Sequence, residues 1–333
     1  MRILVVGGTG FLGKHLLVRL LRERHEITVF SRKMEDELID KVLFVTGDVR
    51  DKKALEKAFP CDVVYHLAAE LDESNPEMYE INVEGTRNVV DLCIKHRTKH
   101  LVFMGSCGAL GDAVIAEEDG GYNPKTLYEK SKAEAEKLVT GSGVPCTIVR
   151  APVIIGPNYI WYKIFQAAKN RYPIIGSGEN KFHLAYIKDA ADMLNSVKGN
   201  SRAAGRIFHV ATKDVPAYKE VYTMMCEEMK TKMTGKHVPV IAMKFAASVY
   251  EGWCRVRGKR PSLTMMRSSI ERLTRNRRIS MNNAKLIGFE PKYDTRTALK
   301  ETIKYLQMAK QGYSDFEIAE KGLMDGDDFG GKS

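Results

Sequence analysis

Tyr128 and Lys132, in the run Tyr128-Glu129-Lys130-Ser131-Lys132, are the residues whose types and spacing point most directly to chemistry. They stand at i and i+4, on one face of a helix predicted to run to about Thr140. A phenol ionises near a pH of about 10 in water, so it serves as a general acid or base near neutrality only if its anion is stabilised. An ammonium one helical turn away supplies such stabilisation. Tyrosine and lysine four apart also occur by chance on exposed helices, so the pair gains its meaning from its surroundings.

Those surroundings begin at the N-terminus. Arg2-Ile3-Leu4-Val5-Val6 reads as a buried parallel strand, followed by a turn with Gly7, Gly10 and Gly13. The segment from Phe11 to Arg24 reads as a helix, with Leu12, Leu16 and Leu20 in one apolar row and Leu17 and Leu21 beside it. Glycines let backbone N–H groups approach a diphosphate, and the helix N-terminus behind them favours negative charge. Because the turn joins a strand directly to an amphipathic helix, it reads as a dinucleotide site rather than a tight turn alone. A second strand, Ile27–Phe30, ends at Ser31-Arg32-Lys33. An acid there would bind the adenosine ribose of NAD, whereas a cation accommodates the 2′-phosphate of NADP. Ser31 stands at the acid's place and two cations follow, so NADP(H) is expected over NAD(H), with Glu35 and Asp36 close by.

The spacing Gly7-Gly8-Thr9-Gly10-Phe11-Leu12-Gly13 resembles the turn of the extended short-chain dehydrogenase/reductases, the epimerase/dehydratase-like group. Further segments extend the resemblance over roughly residues 1–310. Gly47-Asp48-Val49-Arg50-Asp51 is similar to the family's GDhxD, which implies that Asp48 and Val49 flank the adenine; Asp51 also suits a helix N-cap. Val63–His66 leads to the small residues Leu67, Ala68 and Ala69, over which a cofactor would pass, and His66 is taken as structural. Asn82-Val83-Glu84-Gly85-Thr86 resembles NxxGT, placing Asn82 near the nicotinamide side. Ser106, five residues before Gly111, matches the family's serine or threonine. Arg150-Ala151-Pro152-Val153 to Pro157 resembles RPxxxYGP, which makes Ala151 and Val153 cofactor contacts. Asn180–Asp189 and Ala284–Pro291 resemble two later family segments.

The resemblance implies an α/β fold: a Rossmann-type doubly wound parallel sheet with a smaller, mainly helical C-terminal substrate lobe. Residues 1–155, with 181–212 returning, would form the dinucleotide domain, and 156–180 and 213–310 the lobe; beyond the resemblance, 311–333 reads by composition as an acidic tail that is either disordered or shields the basic stretch in cis. The resemblance also implies an oxidoreductase interconverting an alcohol and a ketone by hydride transfer. Ser106 would orient the carbonyl, Tyr128 transfer the proton, and Lys132 hold the ribose and lower the tyrosine pKa. Tyr128, Lys132 and the glycine-turn residues Gly7, Gly10, Phe11, Leu12 and Gly13, with Ser31, Arg32 and Lys33, complete the cofactor set. The rivals are an NDP-sugar 4-epimerase with tightly bound NAD, a dehydratase, and a cofactor-binding sensor without turnover. Glu129 stands where many sugar-nucleotide enzymes have glycine, and Arg260–Ser280 is more similar to dihydroflavonol reductase and 3-beta-hydroxysteroid dehydrogenase relatives.

The chain of 333 residues is long enough for a large core in one or two domains. Its six cysteines lack C-x-x-C spacing, which fits a reducing, cytoplasmic setting, and no metal site is expected. No apolar run approaches the roughly 20 residues of a membrane span. The formal charge of +10 concentrates between Arg255 and Arg278, where cations at 255, 257, 259, 260, 267, 272, 275, 277 and 278 face the single acid Glu271. A solvated face is the plain reading; an anionic or lipid-like small-molecule substrate, or peripheral contact with an anionic membrane, are the others. The apolar Val238–Tyr250, interrupted only by Lys244, has the length of a packed or interfacial helix. Nucleic acid is not expected, since no reader motif accompanies the charge, and a homodimer is.

Overall fold

The computed structural model describes residues 1–327. Seven parallel strands form the central sheet: β1 (Arg2–Val6), β2 (Glu26–Ser31), β3 (Leu43–Thr46), β4 (Val63–His66), β5 (His100–Ser106), β6 (Cys146–Ala151) and β7 (Ile207–His209). Their order is β7-β6-β5-β4-β1-β2-β3. The chain winds outward from β1 through β3, crosses back to β4, and winds outward again, which is the doubly wound arrangement. The central strands are continuous apolar runs because both of their faces are covered. Alternate residues serve opposite faces: Ile3 and Val5 meet one cluster, Leu4 and Val6 the other.

Helices α1 (Phe11–Leu21), α2 (Lys52–Glu56), α3 (Met78–Lys95), α4 (Leu127–Thr140) and, beyond α5 (Tyr159–Lys169), α6 (Ile187–Val197) form the two layers. Leu16, Leu17 and Leu20 of α1 are fully buried beside Met193, Leu194 and Val197 of α6. The side chain of Asp51 caps α2 through Lys53 N and Ala54 N, both at 3.0 Å. A separate cluster unites α5 with α7 (Tyr218–Glu228) and α10 (Thr295–Lys310) through Trp161, Phe165, Val221, Tyr222 and Leu299. Beside it stand α8 (Val240–Val256) and α9 (Arg267–Thr274). All six cysteines are free and buried.

The described part of the tail, through residue 327, departs from the disordered reading. Asp315–Asp327 forms α11, with Phe316, Ile318 and Ala319 buried, and Phe316 and Ala319 join the cluster that contains α1. Three apolar residues among the acids suffice to dock the helix, and the Asp315 carboxylate lies 3.3 Å from the Lys14 ammonium. Asp328, also assigned to that tail, lies outside the described residues.

His15, His66 and His209 are buried in the layers, and desolvation pushes the imidazole of each down to about 3. Unfolded, each would take up a proton below a pH of about 6.5. The unfolded state therefore binds more protons between about 3 and 6.5, so stability present above that window is lost as pH falls through it. Urea unfolding should show stability dropping by up to about 4 kcal/mol per pH unit at the steepest, for three such groups. A flat stability between about pH 7 and pH 4 would contradict these burials.

Candidate active site

The strands end along one edge of the sheet, and the glycine turn leaves β1 there, at the point where strand order reverses. Gly7 has φ +86°, and a Cβ on it would lie 2.7 Å from Ala68 N. A Cβ on Gly13 would meet the carbonyl oxygens of Gly7 and Gly8 at 2.5 Å. Gly10, exposed at the N-cap of α1, brings no side chain over the open N–H groups. The end of β4 folds onto this turn, with Leu67 N and Ala68 N donating to Val6 O at 2.9 and 3.0 Å; Ala69 follows, half-buried. A cradle without side chains, a bare helix N-terminus and small neighbours fit the diphosphate of a nicotinamide dinucleotide. Phe11 and Leu12 are half-buried above it, and a Cβ on Gly156 would strike the Phe11 ring.

At the end of β2, Ser31 is buried while Arg32 and Lys33 are exposed. Two of the nearby carboxylates, Glu35 and Asp48, are already paired. Lys14 lies 3.1 Å from Glu35, and Arg50 grips both oxygens of Asp48 at 2.9 and 3.0 Å, which holds that carboxyl below its usual range. Val49, expected beside the adenine, instead turns into the core, where a Cβ on Gly85 would press on its methyls. Asn82 is also spent inside the protein. Its amide donates to Glu70 O and Ser131 Oγ at 3.0 and 2.9 Å, and its carbonyl accepts from Glu70 N at 2.7 Å. It braces the loop after β4 against α4. Ala151 is buried at the end of β6, and Val153 is exposed. His66 bonds Thr86 at 2.9 Å, in keeping with a structural histidine.

Ser106 closes β5, and Tyr128 and Lys132 rise beside it from α4, whose first turn is fixed by a Thr126–Glu129 capping box. Burial pushes the Tyr128 phenol up to about 12, opposed by a hydrogen bond with Ser106 and by the charge of Arg272. Lys132 lies one turn further along α4. Its ammonium donates to Met104 O at 2.7 Å, lies over the Phe103 ring, and is itself pushed down to about 8 by burial. That ammonium is thus bonded to the backbone of β5.

Five further residues build the site. Glu136, one turn beyond Lys132, is fully buried; it accepts from Arg150 Nε at 2.9 Å and Nη2 at 2.8 Å, and from Ser106 N at 3.3 Å. The i, i+4, i+8 row of Tyr128, Lys132 and Glu136, and a lone arginine ending the apolar β6, were the legible signals. Glu129, also fully buried, accepts from Arg275 at 2.6 Å, which ties α4 to the segment after α9. Arg277 donates Nη1 to Cys107 O at 2.9 Å, while its Nε and Nη2 are buried without a protein acceptor. These arginines were seen in sequence only as members of a charge run.

Glu136→Gln keeps the shape but leaves Arg150 buried and unpaired, which should cost about 3–5 kcal/mol in urea unfolding. Tyr128→Phe, losing one hydroxyl, should cost about 1 kcal/mol. Equal losses in the two variants would remove the central role given to the ion pair.

Residues 3–211 match the family model described as the NAD dependent epimerase/dehydratase family. The chain is 28% identical to the decarboxylating sterol-4-alpha-carboxylate 3-dehydrogenase of Saccharomyces cerevisiae, over 91% of this chain and 97% of the relative. It is 23% identical to the N-acetyl-alpha-D-glucosaminyl-diphospho-ditrans,octacis-undecaprenol 4-epimerase of Escherichia coli O157:H7, over 91% and 94%. Its fold is similar to that of dTDP-glucose 4,6-dehydratase from Bacillus anthracis in complex with NAD, at TM-score 0.74 and 19% identity, over 95% of this chain and 99% of that one. With a parallel sheet whose glycine turn fits a dinucleotide and a family match over most of its length, the chain is an enzyme of the NAD dependent epimerase/dehydratase family.

Proposed function

We propose that this enzyme interconverts a secondary alcohol and a ketone on a substrate that also carries an anionic group, with NADP(H) preferred over NAD(H). The observation that carries the reading is the hydrogen bond between Tyr128 and Ser106 together with Arg277, which is bonded through Nη1 to the carbonyl of Cys107, the neighbour of Ser106, and leaves two buried guanidinium nitrogens, Nε and Nη2, orphaned. Buried guanidinium edges are nearly always paired in folded proteins, so an unpaired one favours a ligand oxygen.

The dinucleotide, once bound along the glycine turn, supplies the acceptor or donor of hydride. Ser106 holds the reacting oxygen of the substrate, and Tyr128 takes its proton in oxidation or returns it in reduction. A phenol at about 12 holds its proton firmly, so it suits donation near neutrality, and oxidation should accelerate as pH rises. Lys132 braces the floor of the site through Met104 O and is the residue within α4 suited to the cofactor ribose. Arg277 offers its free edge to a carboxylate or phosphate.

The yeast relative is named for a carboxylate beside the oxidised carbon and for decarboxylation. The same sequence of events suits this site. Removal of hydride and proton from an alcohol beside a carboxylated carbon gives a β-keto acid; its C–C bond then breaks, CO2 leaves, and the electron pair passes to the carbonyl oxygen held by Ser106 and Tyr128. The second reading, a 4-epimerase, draws on the same arginine, since a diphosphate is also an anion. Reduced dinucleotide accumulating in stoichiometry with product supports the oxidoreductase; product without accumulation supports the epimerase.

Tyr128→Phe should lower kcat by about 10²–10⁴-fold while leaving dinucleotide affinity nearly unchanged, by the usual worth of a general acid–base group. Arg277→Ala should raise KM more than it lowers kcat for an anionic substrate and leave a neutral analogue unaffected. Full turnover in Tyr128→Phe would refute the proton-transfer role.

For the cofactor, isothermal titration should give tighter binding of NADPH than of NADH, with Arg32→Ala narrowing the difference. Equal affinities in the parent protein would refute the preference drawn from Ser31, Arg32 and Lys33.

A further inference from the structure

The nine cations between residues 255 and 278 do not act as one patch. Arg272, at 2.6 Å from Glu73, Arg275, on Glu129 and Asp112, and Arg277 are drawn in toward the active site. Arg255, Arg257, Lys259 and Arg260 remain exposed at the end of α8. That helix is unusual in how it spends its apolar residues. Only Ala247 and Cys254 are buried. Ile241, Phe245, Val249 and Trp253, spaced four apart along one stripe, are 83%, 72%, 57% and 49% exposed, and Val256 beyond them is 89% exposed. Ala242, Ala246 and Gly252 are exposed as well, and the exposed Ser248 gives its hydroxyl to Lys244 O. The outward face of α8 is therefore apolar and uncharged for about 18 Å, the length of 12 residues of helix.

We infer that α8 is a membrane-docking helix that lies in the surface of an anionic bilayer. Charge selects this occupant. Between Lys230 and Arg267 the chain carries nine cations and one acid, Glu251. Exposed Lys230, Lys232 and Lys236 precede the helix, and exposed Arg255, Arg257, Lys259 and Arg260 follow it. A second copy of this chain would set like charges against each other around the apolar contact, whereas anionic headgroups match both ends. The guanidinium of Arg257 lies 4.6 Å above the Trp253 ring, which puts an aromatic and a cation together at the end of the stripe, the pairing that suits an interface with an apolar side and a charged side. Among the described residues no helix is long and apolar enough to cross a membrane, so the contact is peripheral. Helix α9, packed against α8, carries Arg272 to the active site, so docking would set the substrate lobe against the lipid.

The test uses the full chain with phosphatidylcholine vesicles, with and without phosphatidylserine, at low salt. Cosedimentation should require phosphatidylserine and fall as salt rises. Trp161 is buried and Trp253 is exposed, so emission should shift to the blue on binding and be quenched by brominated acyl chains; the quenching should vanish in Trp253→Phe. Phe245→Glu with Val249→Glu should abolish binding. Each glutamine placed at Arg255, Arg257, Lys259 or Arg260 should weaken it roughly five-fold, the worth of one surface cation. Because all of these side chains are exposed and outside the catalytic end, dinucleotide titration should be unchanged, which separates lost docking from lost folding. No binding to anionic vesicles overturns the inference. So does binding that survives Phe245→Glu with Val249→Glu, or those substitutions instead dissolving a dimer or the capture of an acidic peptide.

Discussion

A carboxylate and a guanidinium buried side by side, Glu136 and Arg150, hold together the end of the sheet where Ser106 and Tyr128 meet. Two charges taken out of water are stable only while each keeps the other and their remaining hydrogen bonds are met. Glu136 meets that requirement by accepting from Arg150 and from the amide of Ser106, so α4 cannot slide without breaking the pair. Arg150 also donates to Glu118 O at 3.3 Å and stacks near Tyr122, which extends the constraint to the segment that leads into α4. Tyr128 and Lys132 inherit their positions from it, because they lie on the same helix at two turns and one turn from Glu136.

A second buried acid extends the constraint across the lobes. Glu129 caps the helix that carries Tyr128 and also receives Arg275. One side chain thus sets both the start of α4 and the approach of the chain that contributes Arg277. The parallel pairing of Arg278–Ile279 with Ile115–Ala116 continues that approach. This side of the candidate site is built by non-local pairing, since Arg275 and Arg277 reach Glu129 and Cys107 from more than 140 residues away.

The same stretch of sequence serves two physical ends. Where carboxylates wait, Arg272 and Arg275 turn inward and are paired. Where none are offered, before and after α8, the cations remain in solvent around a helix that keeps its large apolar residues outside. An exposed apolar stripe of this length has no stabilising role in an isolated monomer, since its transfer from water is favourable only against a partner surface.

Local pattern determined the glycine turn and the spacing of Tyr128 and Lys132, and the resemblance carried by those motifs implied the fold class. The period of strand and helix, the need for a bare backbone at Gly7 and Gly13, and helical spacing are all properties of neighbours in the chain. The direction of side chains at element ends was not so determined. Val49 turned into the core and Asn82 was consumed by Glu70 and Ser131, because burial decides which way a residue beside a ligand site faces. The acids in the tail suggested disorder, yet Phe316, Ile318 and Ala319 found a hydrophobic surface on the dinucleotide domain and folded it. Spacing put Lys132 one turn from Tyr128, but only the tertiary structure gave its ammonium the Met104 carbonyl and a buried setting. Charge could be counted along the chain. Which arginines are paired, which are orphaned and which stay in water depended on partners 100 or more residues away, and only the tertiary structure brings those together.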